Sequence, residues 1–92
     1  MTKIRVEHAL GREAARQRFE SLTRKHGIAV QSSDGGASGS LEKPVPFMGA
    51  VRARFVVLEE AIELDIVQAP AFLSPETIQR MVGDEVRRAL TG

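Results

Sequence analysis

The pair Asp34-Gly35 lies between two runs in which apolar and polar residues alternate. Such a pair favours the tight turn of a β-hairpin, because both central residues of a type I′ turn need positive φ. A turn centred on this pair places Val30 opposite Gly39. It also places Ile28 opposite Leu41, so that apolar side chains meet on one face. We therefore predict an antiparallel hairpin here, with Gly39 marking a bulge or the close approach of a helix.

A second pair of alternating runs flanks Glu59-Glu60. A turn there pairs Phe55 with Leu64 on the inner face of the sheet, and a four-residue loop would keep the same register. On the outer face it pairs Arg54 with Asp65, which places opposite charges across from each other. We predict that Pro44 and Pro46 end the preceding strand, since proline donates no ladder hydrogen bond.

The remaining segments predict one more strand and two helices. Residues 3–8 alternate like a half-buried strand, whereas residues 11–26 have the 3.6-residue period of an amphipathic helix that ends at Gly27. Ser74 and Pro75 have the residue types of an N-cap and a first helical position. The apolar stripe of this second helix is predicted to consist of Ile78, Met81, Val82, Val86 and Ala89.

The order of elements defines the fold class. A strand, a helix, four strands and a helix follow one another within 92 residues, which is the size of one domain, residues 1–92. An antiparallel sheet with one apolar face needs a cover, and two amphipathic helices supply it. We predict a single α+β domain: a two-layer sandwich with about five strands in the spatial order 1-5-4-3-2 and both helices on one face.

Composition excludes several kinds of site. The chain has no Cys and only two His, so a disulfide scaffold, a thiol nucleophile, an iron–sulfur centre and a metal site are not expected. The glycines of the tract Gly35–Gly39 precede a strand and lack the Lys-Ser/Thr ending of a phosphate-binding loop. We therefore expect no cofactor. There is no apolar run long enough for a membrane span and no signal-peptide pattern, which favours a cytoplasmic protein.

The charged and hydroxyl residues do not form a catalytic set. Ser32, Ser33 and Asp34 are neighbours in a turn, and such neighbours do not converge as a catalytic triad must. The carboxylates of Glu63 and Asp65 are predicted to form a solvated charge ladder with Arg52 and Arg54. We expect no enzyme and no catalytic residue.

Two residues at the edges of the helix stripes have structural interpretations. His26 ends the first helix, where an imidazolium would favour the helix dipole. Glu85 lies at the edge of the second stripe. A carboxylate there needs a partner, and we expect a salt bridge with Arg88 or with a residue of the first helix.

Charge is distributed unevenly along the chain. Residues 1–27 carry seven basic and three acidic side chains, whereas residues 28–92 carry six basic and nine acidic ones. A candidate basic face consists of Arg12, Arg16, Arg24 and Lys25. Nucleic-acid binding is not expected, because Phe19 and Phe55 belong to the predicted core and cannot act as stacking platforms.

Exposed apolar side chains are the more promising feature. Phenylalanines in two loops beside prolines join outward-facing residues of the fourth strand. An apolar patch of this kind would mark a contact surface. The candidate contact surface consists of Phe47, Met48, Val56, Leu58, Phe72 and Leu73. The alternative is that the loops fold back and cap the core.

Several local strings together resemble a known family. They are Ile4-x-Val6 before an Arg/Glu-rich helix, the strand Gly39-Ser40-Leu41-Glu42, the segment Phe72-Leu73-Ser74-Pro75, and a last helix with Glu85 and Leu90. This pattern is similar to that of the polyhydroxyalkanoic acid system family, small bacterial proteins that are associated with polyhydroxyalkanoate storage-granule genes. The resemblance implies an intracellular protein in the formation or metabolism of polyhydroxyalkanoate storage granules. It implies no catalytic residue and no enzymatic step.

These observations favour a non-enzymatic binding module that contacts a polymer granule surface or another granule protein. The alternative is a small carrier, similar to helix-grip proteins, that holds an apolar or acyl ligand between sheet and helix. Gly39, Gly49 and the adaptable Met81 would leave space for such a ligand. We expect a monomer or a weak homodimer that pairs through an edge second strand or through outer-face apolar residues.

Overall fold

A computed structural model of the chain describes residues 2–45 and 49–91. The predicted order of elements is confirmed, and the fold is α+β. The elements are β1 (Thr2–Glu7), α1 (Arg12–Lys25), β2 (Ala29–Ser33), β3 (Ser38–Val45), β4 (Gly49–Val57), β5 (Ala61–Gln68) and α2 (Pro75–Thr91). In the described ranges, neither helix is both long and apolar enough to cross a membrane.

The five strands form one antiparallel sheet in the order β1-β5-β4-β3-β2, which confirms the predicted strand order. The predicted register of the second hairpin is also confirmed, since Phe55 pairs with Leu64 and Arg54 with Asp65. A bulge follows at Arg52/Ala53, where the β4–β5 register shifts.

The predicted register of the first hairpin is wrong. Val30 pairs with Leu41, and Ser32 pairs with Gly39. The cause is the turn: Asp34–Gly36 forms a short 3₁₀ turn, and four residues therefore separate β2 from β3. The shift amounts to two residues, so Val30 and Leu41 keep the predicted inner face.

Gly39 marks a close approach, but of a strand and not of a helix. A Cβ atom at this position would overlap the carbonyl oxygen of Gln31 and lie 2.8 Å from the Cα of Ser32. The predicted strand end at Pro44 is also wrong, because β3 continues to Val45 and Pro44 pairs with Ala50. β2 pairs with β3 only as far as Glu42, so Pro44 lies on a free edge where proline is tolerated. Pro46 lies outside the described residues.

Both predicted helix ends are confirmed. Gly27 follows α1 with φ 65°. Its N–H donates to the carbonyl of Arg24, and the N–H of Ile28 donates to that of Thr23, which completes a Schellman motif. At the start of α2, Ser74 Oγ accepts a hydrogen bond from the backbone N–H of Thr77 at 3.1 Å.

The core lies between the inner face of the sheet and the two helices. Phe19 and Phe55 both belong to it, as predicted. The stripe of α2 differs from its prediction, because Gly83 and Leu90 are buried while Met81 is 56% exposed. Gly83 is the point where α2 approaches β1, since a Cβ atom there would meet Ile4 at 3.9 Å.

Candidate ligand-binding cleft

The helices leave part of the inner sheet face uncovered. α2 packs on β1 and on α1, and α1 packs on β4 and β2. A cleft of about 320 Å³ opens beside them, between the C-terminal half of α1, the middle of α2 and the inner face of β3. The cleft exists because the two helices together do not span the whole width of the sheet.

The walls of the cleft are mostly apolar, and three of its elements contribute a leucine or valine side chain. Leu22 of α1, Leu41 of β3 and Val82 of α2 line it, and each is a partly buried residue that packs against the core. The core residue Phe19 forms part of its floor. Met81 lies at the rim, where its long unbranched side chain can adapt to an occupant.

Polar groups occupy one part of the lining. Glu85 Oε1 accepts a hydrogen bond from Arg88 Nη1 at 3.1 Å, and Glu85 Oε2 lies 3.4 Å from His26 Nε2. The predicted salt bridge of Glu85 with Arg88 is therefore confirmed, and the side chain of His26, at the end of α1, lies within ion-pair distance of the same carboxylate. Lys43 Nζ, from β3, donates to the carbonyl oxygen of His26 at 3.0 Å.

His26 is the C-cap residue of α1, and its side chain lies against α2. Its Nε2 atom is buried and has no hydrogen-bond partner within residues 2–45 and 49–91. The 3.4 Å separation from Glu85 meets the distance for an ion pair, but the geometry does not make a hydrogen bond. The Nε2 atom is thus a buried polar atom without a hydrogen-bond partner in the described structure, although most such atoms in proteins have one.

Of the predicted contact surface, the structure describes Val56, Leu58, Phe72 and Leu73, and it places Val56 and Phe72 apart. Phe72 is 61% exposed and Val56 is 41% exposed, but they lie near opposite ends of the sheet. Val56 pairs with Glu63, and the sheet extends five residues further along β5, about 16 Å, before the segment that holds Phe72. Leu58 is partly buried at the β4–β5 turn, and Leu73 packs against the core. Phe47 and Met48 lie outside the described residues.

The residues of the predicted basic face point in different directions. At 3.6 residues per turn, Arg24 and Lys25 lie about 120° and 140° from Arg12 around the axis of α1, on opposite sides. Arg16 is paired twice, with Glu13 at 2.6 Å and with Glu20 at 2.5 Å. Acidic neighbours thus neutralise part of the positive charge.

The ion pair of Glu13 and Arg16 shifts the pKa of both side chains, each in the direction that favours its charged form. The hydrogen bond from Arg16 lowers the pKa of Glu13 below its ordinary value of 4.5. The same hydrogen bond raises the pKa of Arg16. This is the behaviour of a surface ion pair, in which each charge favours the ionised form of the other.

The outer face of the sheet carries a charge ladder, with some partners that differ from the prediction. Glu63 Oε2 accepts a hydrogen bond from Arg5 Nη1 of β1 at 2.6 Å. Arg52 Nη2 lies 3.6 Å from Glu42 Oε2 of β3. Arg54 lies opposite Asp65, as predicted. Arg5 and Glu63 are each about half exposed, which fits a solvated ladder. Within the described ranges, no three His, Asp or Glu side chains are grouped to hold a metal ion.

The cleft residues Leu22, Leu41 and Lys43 were not predicted as site residues. Leu22 has an ordinary place in α1, as do Leu41 and Lys43 in β3, and only the tertiary structure brings them to one space. The sequence feature that could have indicated the cleft is the spacing of Met81 and Glu85, because residues four apart lie on the same side of a helix and both line the cleft.

No family model, no curated protein and no solved structure matches this chain.

Proposed function

We propose that this protein is a non-enzymatic binding module that holds an apolar ligand chain in the cleft. The supporting observation is that Leu22, Leu41 and Val82 come from three elements and line one space. The volume of about 320 Å³ lies near the lower end of the range of roughly 300–1,000 Å³ for small-molecule sites. This proposal favours the carrier alternative of the sequence analysis.

The side chains of the cleft support binding over catalysis. Thr23 supplies the one hydroxyl among the described lining residues, and it is buried and donates to the carbonyl of Glu20 at 2.8 Å. A nucleophile needs a base within hydrogen-bond reach, and this hydroxyl bonds to a backbone carbonyl instead. Glu85 is likewise held by Arg88.

The family resemblance adds a setting to this proposal. In that setting the module works at polyhydroxyalkanoate storage granules or in their metabolism, and the apolar chain is an acyl chain. The support for the setting is the resemblance of local strings such as Gly39-Ser40-Leu41-Glu42 and Phe72-Leu73-Ser74-Pro75.

A titration with octan-1-ol, a neutral eight-carbon chain, tests the cleft. The chain has no Trp and no Tyr, so the signal must come from elsewhere, and the Met81 methyl group is a suitable NMR probe. We expect its resonance to shift in a saturable way. In Met81→Gln, which keeps the length of the side chain but makes it polar, the affinity should fall several-fold, since about 1 kcal/mol of apolar contact is lost.

Val56→Thr is the matched control, because Val56 is also exposed but lies on the outer face of the sheet. It should leave the octan-1-ol affinity unchanged. If the methyl groups of Leu41, Met81 and Val82 all fail to shift, or if both variants weaken binding equally, the proposed cleft function is wrong.

A second candidate function rests on Phe72, whose side chain is 61% exposed in the connection between β5 and α2. An exposed phenylalanine can anchor the protein to an apolar surface such as a polymer granule. Co-sedimentation with polyhydroxyalkanoate granules tests this candidate. Binding that Phe72→Ser abolishes and Met81→Gln preserves would favour surface contact, whereas full recovery of the wild-type protein in the supernatant would contradict it.

A further inference from the structure

Among the described residues that line the cleft, Lys43 is the lysine or arginine, and it has no acidic partner in the described part of the chain. Its Nζ donates one hydrogen bond, to the carbonyl oxygen of His26 at 3.0 Å. An ammonium group has three N–H donors. No carboxylate of the described residues lies within ion-pair distance of Lys43, although Glu85 lines the same cleft. Lys43 therefore retains both charge and donors for a ligand.

Glu85, the carboxylate among the described lining residues, is already paired. Glu85 interacts with Arg88 at 3.1 Å and lies 3.4 Å from His26 Nε2. The Nε2 atom has no hydrogen bond in the described structure, but it is buried and not open to a ligand. Among the described lining residues, the polar part of the cleft thus offers a ligand one cation without an acidic partner, Lys43.

The same surroundings limit the charge of the ligand. Glu85 and the carbonyl groups at the C-terminal end of α1 are negative and lie on this side of the cleft. A doubly charged phosphate would be repelled by them and would face a single lysine. A singly charged carboxylate matches one ammonium group, and its oxygens accept hydrogen bonds from several donors.

We infer that the cleft binds a monocarboxylic acid with an unbranched apolar chain, its carboxylate at Lys43 and its chain between Leu41, Met81 and Val82. This inference rests on the proposed cleft function and adds the chemical class of the ligand. It assigns Lys43 to binding, as the group that recognises the head of the ligand.

Octanoate and octan-1-ol test the inference, because they share the length of the chain and differ in the head. Lys43→Met should weaken octanoate about tenfold, the loss expected for a charge-assisted hydrogen bond, and leave octan-1-ol unchanged. Lys3→Met is the matched control, since it removes the same charge from the outer face of β1. It should change neither affinity.

A measurement on the wild-type protein keeps the test independent of the stability of the variant. Octanoate should shift the side-chain NMR resonances of Lys43, and octan-1-ol should not. If Lys43→Met weakens both ligands equally or neither of them, or if octanoate leaves the Lys43 resonances unchanged, the carboxylate inference is overturned while octan-1-ol binding still supports the cleft. If neither ligand binds, the proposed function and the inference fail together.

Discussion

The rings of Phe19 and Phe55 lie 5.0 Å apart between centroids, with their planes inclined by 43°. Phe19 belongs to α1 and Phe55 to β4, so this pair joins the helix layer to the middle of the sheet. Both rings are almost fully buried. The pair stabilises the fold through its buried apolar area and through its tilted aromatic geometry.

Phe19→Leu should lower the free energy of unfolding by about 1–3 kcal/mol, because it removes the aromatic pair and leaves unfilled volume. Urea denaturation followed by circular dichroism measures the change. Phe72→Leu is the control with the same substitution at an exposed site, and it should change the stability by less than about 0.5 kcal/mol. Equal effects of the two variants would contradict the assignment of Phe19 to the core.

Gly39→Ala should separate β2 from β3, because the new methyl group would overlap the carbonyl oxygen of Gln31. We expect a loss of about 3 kcal/mol and faster hydrogen exchange of the amides in β2. Gly35→Ala controls for the loss of a glycine, since nothing lies within 4 Å of a Cβ atom there and φ is 68°. That strain alone should cost about 1–2 kcal/mol. A smaller loss for Gly39→Ala than for Gly35→Ala would show that the strands are not so close.

Ser74→Ala should destabilise the protein by about 0.5–2 kcal/mol, because the N–H of Thr77 loses its acceptor at the start of α2. Ser21→Ala is the comparison within a helix, since Ser21 is exposed in the interior of α1. Alanine has the higher helix propensity there, so this variant should be stabilised by a few tenths of a kcal/mol. Thermal unfolding distinguishes the two, and a loss of stability in both variants would contradict the capping assignment.

The Glu13–Arg16 pair should contribute to stability in a pH-dependent way. The hydrogen bond from Arg16 lowers the pKa of Glu13 below 4.5 in the folded state. A lowered carboxyl pKa stabilises the fold at pH values above 4.5, and this contribution is lost as the pH falls through the lower folded value. NMR titration of Glu13 should show the low pKa, and Arg16→Gln should raise it. A wild-type pKa at or above 4.5 would contradict the pairing.

Elements with strong local signals could be predicted from the sequence. The β4–β5 register followed from the alternation around Glu59-Glu60, and the observed pairs Phe55–Leu64 and Arg54–Asp65 match it. Ser74 and Gly27 mark helix ends through the chemistry of single residues. In these cases the conformation that the turn or cap residue favours also places the apolar side chains on the inner face.

Features that depend on the backbone of a neighbour could not be predicted. The Asp34-Gly35-Gly36 segment is compatible with a two-residue turn, but it forms a 3₁₀ turn that shifts the pairs by two residues. Hydropathy favours Met81 over Gly83 as an inner residue of α2. The close approach of α2 to Ile4 makes the small residue the buried one.

The cleft is the clearest case, because it is a space and not a residue pattern. It depends on how far α1 and α2 extend over β3, and no single segment contains that information. The partners of Glu85 could be predicted, since a carboxylate at the edge of an apolar stripe needs a counter-charge. The position of Lys43 beside them comes from strand packing alone.

The place of β1 in the sheet has a consequence for the order of folding. Its neighbour is β5, and Ile4 pairs with Leu64, so β1 must wait until the last of the five strands has been synthesised. The hairpins from β2 to β5 join residues close in the chain and can form earlier, because their loops are short to close. α2 packs on β1, so these two elements should become ordered together. Pulsed hydrogen exchange during refolding should show protection in β4 before β1, and the reverse order would contradict this sequence of events.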